Sequence, residues 1–324
     1  MKKSFKLFLV AAFLVTEFFV VALPLMITSA KADGHPIQAI THAGFGGGTD
    51  VTTRMMLLRT RRYLKQDMQL VNKKGGGGAA SMDYMMTLPA DGNHTLTWTT
   101  GHAVSMALGK TKVKLSDMQP LARGTDDPQL FVVNCKNDIK DAKKFISAQK
   151  SKSLKYGTTH VGGIDDVSAI AFTKKGKLTD PTIVAYKGVG PIKTNLIKGD
   201  IDVGVLNLGE AVTEIEDGTL CVSVVLASNR MEKLSNVPTA TELGIPVVLS
   251  TVRGFVTKKG VPADRKKQLE DAMIKAMEHK YFQSFLTDIG LDSTSVVGAD
   301  EWGKQMEVML AEMTAQLKAL GYIK

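Results

Sequence analysis

The densest chemistry in the chain lies in nine residues, His42 to Asp50 (HAGFGGGTD), where glycines at 44, 46, 47 and 48 precede a threonine and an aspartate. Glycine takes positive φ at little steric cost, so such a run lets consecutive backbone N–H groups converge on one point. If a helix starts there, Thr49 or Asp50 would cap it, and its first turn would add unpaired donors and about half a positive charge. Together these hold a carboxylate or phosphate without any cationic side chain. A turn that merely lets a strand and a helix pack closely would use the same residues, so the rest of the chain has to decide.

Other chemistries fit less well. Gly44-x-Gly46-x-Gly48-Thr49 approaches a dinucleotide fingerprint, but Thr49 stands where a third glycine is expected. There is no G-x-S-x-G elbow, no H-E-x-x-H and no Cys/His spacing suited to zinc. His42, His94, His102 and His160 are scattered. No catalytic residue, metal or cofactor is therefore expected.

The amino terminus limits where the protein works. Lys2, Lys3 and Lys6 precede an apolar run from Leu7 to about Ile27, and Ala30-Lys31-Ala32 has the form of a signal-peptidase site. This reads as an export leader, residues 1–32, cut near Ala32, with an uncleaved anchor as the alternative. The leader holds four lysines and one glutamate, so the net charge of +9 falls to about +6 for the remaining 292 residues. That balance suits small anions and is too diffuse for nucleic acid. Arg54, Arg59, Arg61 and Arg62 are expected to form a solvated helix face.

The elements that must position the glycine turn follow from periodicity. Ile37 to Ala43 reads as a strand, and Val51, Met55 and Leu58 give the following helix an apolar face. Further strands are expected at Met68–Asn72 and Thr95–Thr99, with a second glycine turn opening a helix near Ala79. Three strands alternating with helices imply right-handed βαβ units and a parallel sheet, with ligand loops beyond the strands' carboxyl ends. Leu121 to Asn134, broken at Asp126-Asp127-Pro128, reads as a crossing to a second section. There the pattern restarts with Leu154–Tyr156, Thr182–Ala185, Ile201–Leu206 and Cys221–Ala227, and Leu249–Val256 reads as the return crossing before a helical tail.

The two cysteines, Cys135 and Cys221, each end an apolar run. They are either two buried thiols or, in an oxidising compartment, a disulfide. Were the two runs paired antiparallel with Leu130 opposite Leu226, Cys135 would face Cys221.

In order along the chain come Gly47-Gly48-Thr49-Asp50, Asn72 with Gly75 to Ala79, Pro89-Ala-Asp-Gly92, Tyr156-Gly157, and Tyr186-Lys187-Gly188. Gly199-Asp200-Ile201-Asp202, Asn236-Val-Pro-Thr239 with Glu242-Leu-Gly244, and Arg253-Gly254 follow them. In this order, behind an export signal, the chain resembles the TctC or Bug family of periplasmic solute receptors of tripartite tricarboxylate transporters. The resemblance implies an α/β, two-lobed type II periplasmic-binding-protein fold, with two doubly wound sheets joined by two crossing strands. Residues 33–126 with 250–324 would form domain 1, and residues 127–249 domain 2. It implies a monomeric, non-enzymatic receptor that closes on a small organic anion, a di- or tricarboxylate or related acid, and delivers it to the transporter's membrane subunits. The sheet order it implies sets the two cysteine-bearing strands side by side and so favours the disulfide. An exported sensor of the same fold is the alternative.

Carried over by position, Phe45, Gly47, Gly48, Thr49 and Asp50 would hold one carboxylate. Thr100, Gly101 and His102 from domain 1, with Thr158, Thr159, His160, Gly163, Asp165, Asp166, Tyr186 and Gly188 from domain 2, would complete the cleft, and Asn207 would reach in from below. Arg253 would pair bidentately with a second carboxylate or, alternatively, form a salt bridge across the crossing strands. Two departures stand out. Ala43 and Phe45 replace the family's usual prolines, and Gly163, Ile164, Asp165 and Asp166 replace its usual hydroxyls and histidine. An aspartate there would either cap the helix or meet an ammonium or hydroxyl on the ligand.

Overall fold

The structure, a computed structural model, describes residues 35–159 and 161–324; the expected leader and His160 lie outside them. The first half runs β1 (Ile37–Thr41), α1 (Gly48–Leu64), β2 (Met68–Asn72), α2 (Ala79–Thr87), β3 (His94–Thr99), α3 (Thr100–Ala107) and β4 (Met118–Pro128). After Gln129 the second half begins with β5 (Leu130–Asn134), α4 (Ala142–Ser151), β6 (Lys155–Thr158) and α5 (Ile164–Lys175). It continues with β7 (Thr182–Ala185), α6 (Val189–Lys198), β8 (Val203–Leu206), α7 (Leu208–Glu216) and β9 (Leu220–Val225). The chain returns through β10 (Ser250–Lys258), α8 (Ala263–Glu278), α9 (Lys280–Asp288), β11 (Val297–Gly298) and α10 (Ala299–Ala319).

Two sheets result, ordered β11-β4-β10-β3-β1-β2 and β7-β6-β8-β5-β9. In each, three parallel strands are followed by one antiparallel strand that arrives from the other half, β10 in the first and β5 in the second. The crossing segments are held together at Gln129, whose amide donates to the Leu249 carbonyl at 2.9 Å and whose carbonyl accepts from Leu226 at 2.8 Å. The expected doubly wound pair with two crossing strands is the fold observed.

Each half has its own aromatic centre. In the first, Trp98 on β3 and Trp302 on α10 meet edge to face at 5.7 Å, both fully buried. Gly254 on β10 makes room for that contact, because a Cβ there would collide with the Trp302 indole. In the second, Phe131 packs against Phe172 at 4.9 Å and Tyr156 at 5.5 Å between ring centroids.

Two expectations need correction. The buried face of α1 is Thr49, Thr52, Thr53, Met56, Thr60 and Leu64; Leu58 is 47% exposed, and Val51 and Met55 are only partly covered. Threonine can face the sheet because its hydroxyl bonds back along the helix: Thr52 donates to the Gly48 carbonyl, Thr53 to Thr49 and Thr60 to Met56, at 2.7–2.8 Å. The second correction concerns register. Cys135 and Cys221 do form a disulfide, with Cα atoms 5.0 Å apart, but Leu130 faces Val225, not Leu226. An irregularity between Phe131 and Val132 shifts the pairing again, so that Val133 faces Cys221, and Cys135 bonds through the Thr219 carbonyl just beyond the ladder.

Candidate functional site

The turn after β1 is built differently from a run of left-handed glycines. Only Gly46 has positive φ, at 76°. Gly47 is the extended N-cap of α1, and neither Thr49 nor Asp50 caps it. Asp50, at the third helical position, accepts the Gly46 amide at 3.1 Å and pairs with Arg54 at 2.9 Å. Phe45 stands 79% exposed at the tip of the turn, with Arg54 and Lys74 near its ring.

The first turn of α1 faces the junction of the two sheets. Arg253, on β10 and 2% exposed, fills that junction. Its Nε donates to the Thr49 hydroxyl at 3.2 Å, its Nη1 to Asp127 at 3.0 Å, and its Nη2 to the Asn207 side-chain oxygen at 3.0 Å. Asn207 in turn donates to the Asp127 and Pro128 carbonyls, both at 2.9 Å, and so ties β8 to the end of β4. Glu210 closes the ring of contacts. One of its oxygens accepts the Asn207 amide at 3.0 Å in a capping box, and the other, Oε1, stands against Gly48. Gly48 must be glycine at this point: a Cβ there would lie 2.5 Å from Arg253 Nη2 and 3.3 Å from Glu210 Oε1.

One guanidinium thus faces several acids. Burial pushes Asp127 up to about 7 against the pull of Arg253, with Glu210 adding to the rise. Burial also raises Glu210, opposed by Arg253 and reinforced by the charge of Asp165. The alternative for Arg253, an ion pair across the crossing strands, is the arrangement observed.

The loop after β6 mirrors the first turn. Gly162 has positive φ, at 68°, and Gly163 is the extended N-cap of α5. Asp166 accepts the Gly162 amide at 2.6 Å, and Asp165 accepts both the Thr159 amide and its hydroxyl, at 2.9 and 2.6 Å. Both aspartates therefore brace the loop from inside the first helical turn, and neither is the N-cap. The loop touches the first half, since a Cβ on Gly162 would lie 3.3 Å from Lys110 Nζ and 3.4 Å from Leu108.

Several expected contacts serve the framework. The Thr100 hydroxyl accepts the Val252 amide and donates to the Ser250 carbonyl, fastening α3 to β10. His102 is fully buried. Its Nδ1 accepts the Thr99 amide at 3.0 Å, which leaves the proton on Nε2, 3.0 Å from the Ser81 hydroxyl. Burial, and secondarily His42, holds this imidazole well below its usual pKa, so it is neutral. It packs against the second glycine turn, where Gly75 to Gly78 all have positive φ and a Cβ on Gly78 would strike the ring. Gly101 is buried in the same helix start. Tyr186 leans toward Gly157 in the hydrophobic cluster that holds Ile192 and Ile201, and a Cβ on Gly188 would meet open space. Thr158 is fully buried at the end of β6, with a hydroxyl that has no hydrogen-bond partner among the described residues.

Of the expected residues, Gly47, Gly48, Thr49, Asn207 and Arg253 converge. Asp127 and Glu210 converge with them and escaped notice. The Asn207-x-x-Glu210 spacing is a capping-box pattern and was the available signal.

Comparison with known proteins agrees with this architecture. The pattern described as "Tripartite tricarboxylate transporter family receptor", TctC, matches residues 52–320. A protein from the TAR-I ttuE-ttuC' intergenic region of Agrobacterium vitis is 25% identical over 248 residues, covering 75% of this chain and 71% of that one. MatC from Rhodopseudomonas palustris, solved with bound malate, is 22% identical with a TM-score of 0.78, covering 87% of this chain and 98% of its own. An R. palustris protein solved with adipate is 21% identical with a TM-score of 0.80, covering 88% and 97%. With the pattern spanning most of the chain and the type II architecture reproduced in both halves, this protein belongs to the TctC family of receptors, which are binding proteins and not enzymes.

Proposed function

We propose that the protein is a periplasmic solute-binding protein that captures a small organic anion between its halves. The favoured ligand is a di- or tricarboxylate or a related acid, delivered to the membrane subunits of a tripartite tricarboxylate-type transporter. The observation that carries this reading is the first turn of α1, where Gly47, Gly48 and Thr49 lie at the junction of the two sheets beside Arg253. Backbone donors at a helix start, backed by a buried guanidinium, favour a carboxylate. The malate and adipate held by two relatives of the same fold support that class. On this reading residues 33–126 with 250–324 form one domain and 127–249 the other, and a leader removed near Ala32 takes the protein to the periplasm.

A thermal-shift screen of malate, adipate, citrate and simple monocarboxylates tests the proposal. A ligand at 100 times its dissociation constant should stabilise by about 2.7 kcal/mol. Micromolar binding, about 8 kcal/mol, is expected for the best acid. Thr49→Ala should weaken that acid severalfold and Arg253→Ala more. If no carboxylate shifts the transition, the reading is rejected.

A further inference from the structure

We propose that Glu210 is a resident carboxylate holding the place that the ligand's carboxylate takes at the start of α1, so that capture exchanges one carboxylate for another. This rests on the reading that α1 seats the ligand. A capping box needs only one glutamate oxygen, and in α7 the Asn207 amide satisfies that need at 3.0 Å. The other oxygen, Oε1, lies across the junction beside Gly48, on an element some 160 residues earlier in the chain. There it shares with Arg253 the space that a Cβ on Gly48 would occupy. Gly48 thus faces an acid brought by α7 of the other half.

The surrounding charge makes a second tenant unwelcome. Arg253 is already paired with Asp127 at 3.0 Å, and Asp165 lies close enough to Glu210 to raise its pKa. A ligand carboxylate entering beside an ionised Glu210 would add an acid to a group that has one guanidinium. Two carboxylates cannot both ionise freely against one set of donors. Displacement of Glu210 removes the conflict, because the glutamate can keep its cap on Asn207 while it gives up Gly48.

Glu210→Gln keeps the capping acceptor and removes the charge. Glu214→Gln, one turn further along α7 and paired with Lys193 at 2.7 Å, serves as control. Two measurements follow on the full mature chain. Hydrogen exchange without added ligand should speed about tenfold in peptides covering Gly47 to Val51 for Glu210→Gln, and stay unchanged for the control. Calorimetric titration with malate and with adipate should show about tenfold tighter binding by Glu210→Gln of whichever acid binds the parent protein. Unchanged exchange at the start of α1, or equal or weaker acid binding by the variant, overturns the proposal. If neither acid binds either protein, the carboxylate reading fails instead, and the exchange result alone decides whether Glu210 guards α1.

Discussion

Gly46 and Gly162 hold corresponding posts in the two halves. Each follows the first parallel strand of its sheet, takes positive φ, precedes an extended glycine at the helix start, and donates to an aspartate at the third helical position. The divergence begins one residue before that aspartate. Thr49 offers a hydroxyl to Arg253, whereas Asp165 folds back onto Thr159. The start of α5 therefore carries two carboxylates of its own. Beside the start of α1 stands a carboxylate from the other half, Glu210. Similar backbone plans thus yield one helix start whose hydroxyl meets a guanidinium and one whose carboxylates turn back onto its own loop. The side chain at the second helical position makes the difference.

Arg253→Ala should strain this contrast most. It leaves Asp127 buried without its partner and removes the tie between Thr49 and Asn207, at a cost of about 3–5 kcal/mol in urea unfolding. A loss under about 1 kcal/mol would mean that the halves are joined by something else. Gly46→Ala and Gly162→Ala sharpen the comparison directly. Each puts a Cβ on a left-handed residue and should lower stability by about 1–2 kcal/mol, but only the first should also weaken carboxylate binding. Equal damage to binding would erase the distinction between the two turns. The smallest effect expected is acid sensitivity confined to the first half. His102 stays neutral when folded and gains a proton only when unfolded, so its contribution to stability falls as pH drops below the unfolded value of about 6.5. Between pH 7 and 5.5 the parent should lose about 1 kcal/mol relative to His102→Gln, the opposite drift from Asp127, raised to about 7, being common to both, and the difference should register first in exchange of peptides around α3.

Much of the architecture was legible in the sequence. Alternating strands and helices, the break at Asp126-Asp127-Pro128 and the return through Arg253-Gly254 all have local causes, and the elements lie within a few residues of where periodicity puts them. The face of α1 was not legible, because the hydroxyls of Thr52, Thr53 and Thr60 find acceptors within their own helix and so lose the polarity that a hydropathy pattern assigns them. The strand register failed by one residue, then two, at an irregularity no composition marks. At the site, the glycine turn with Thr49 is legible from its own residues, and Asn207 and Arg253 through the family resemblance. Asp127 and Glu210 were missed because their roles depend on the junction between sheets, where residues far apart in sequence meet. His102 was misjudged for a related reason: a loop histidine looks available until Thr99 and Ser81 are seen to engage both ring nitrogens.

The bridge between Cys135 and Cys221 has a mechanical consequence. It rivets β5 to β9 at the end remote from Gln129, the single residue that separates β5 from β4. A strand secured there is not free to slip past its neighbours. Between the sheets the chain passes through Gln129 and through the segment at Leu249, where the two passages are hydrogen-bonded to each other. Within the five-stranded sheet the bridge therefore fixes how β5 lies against β9.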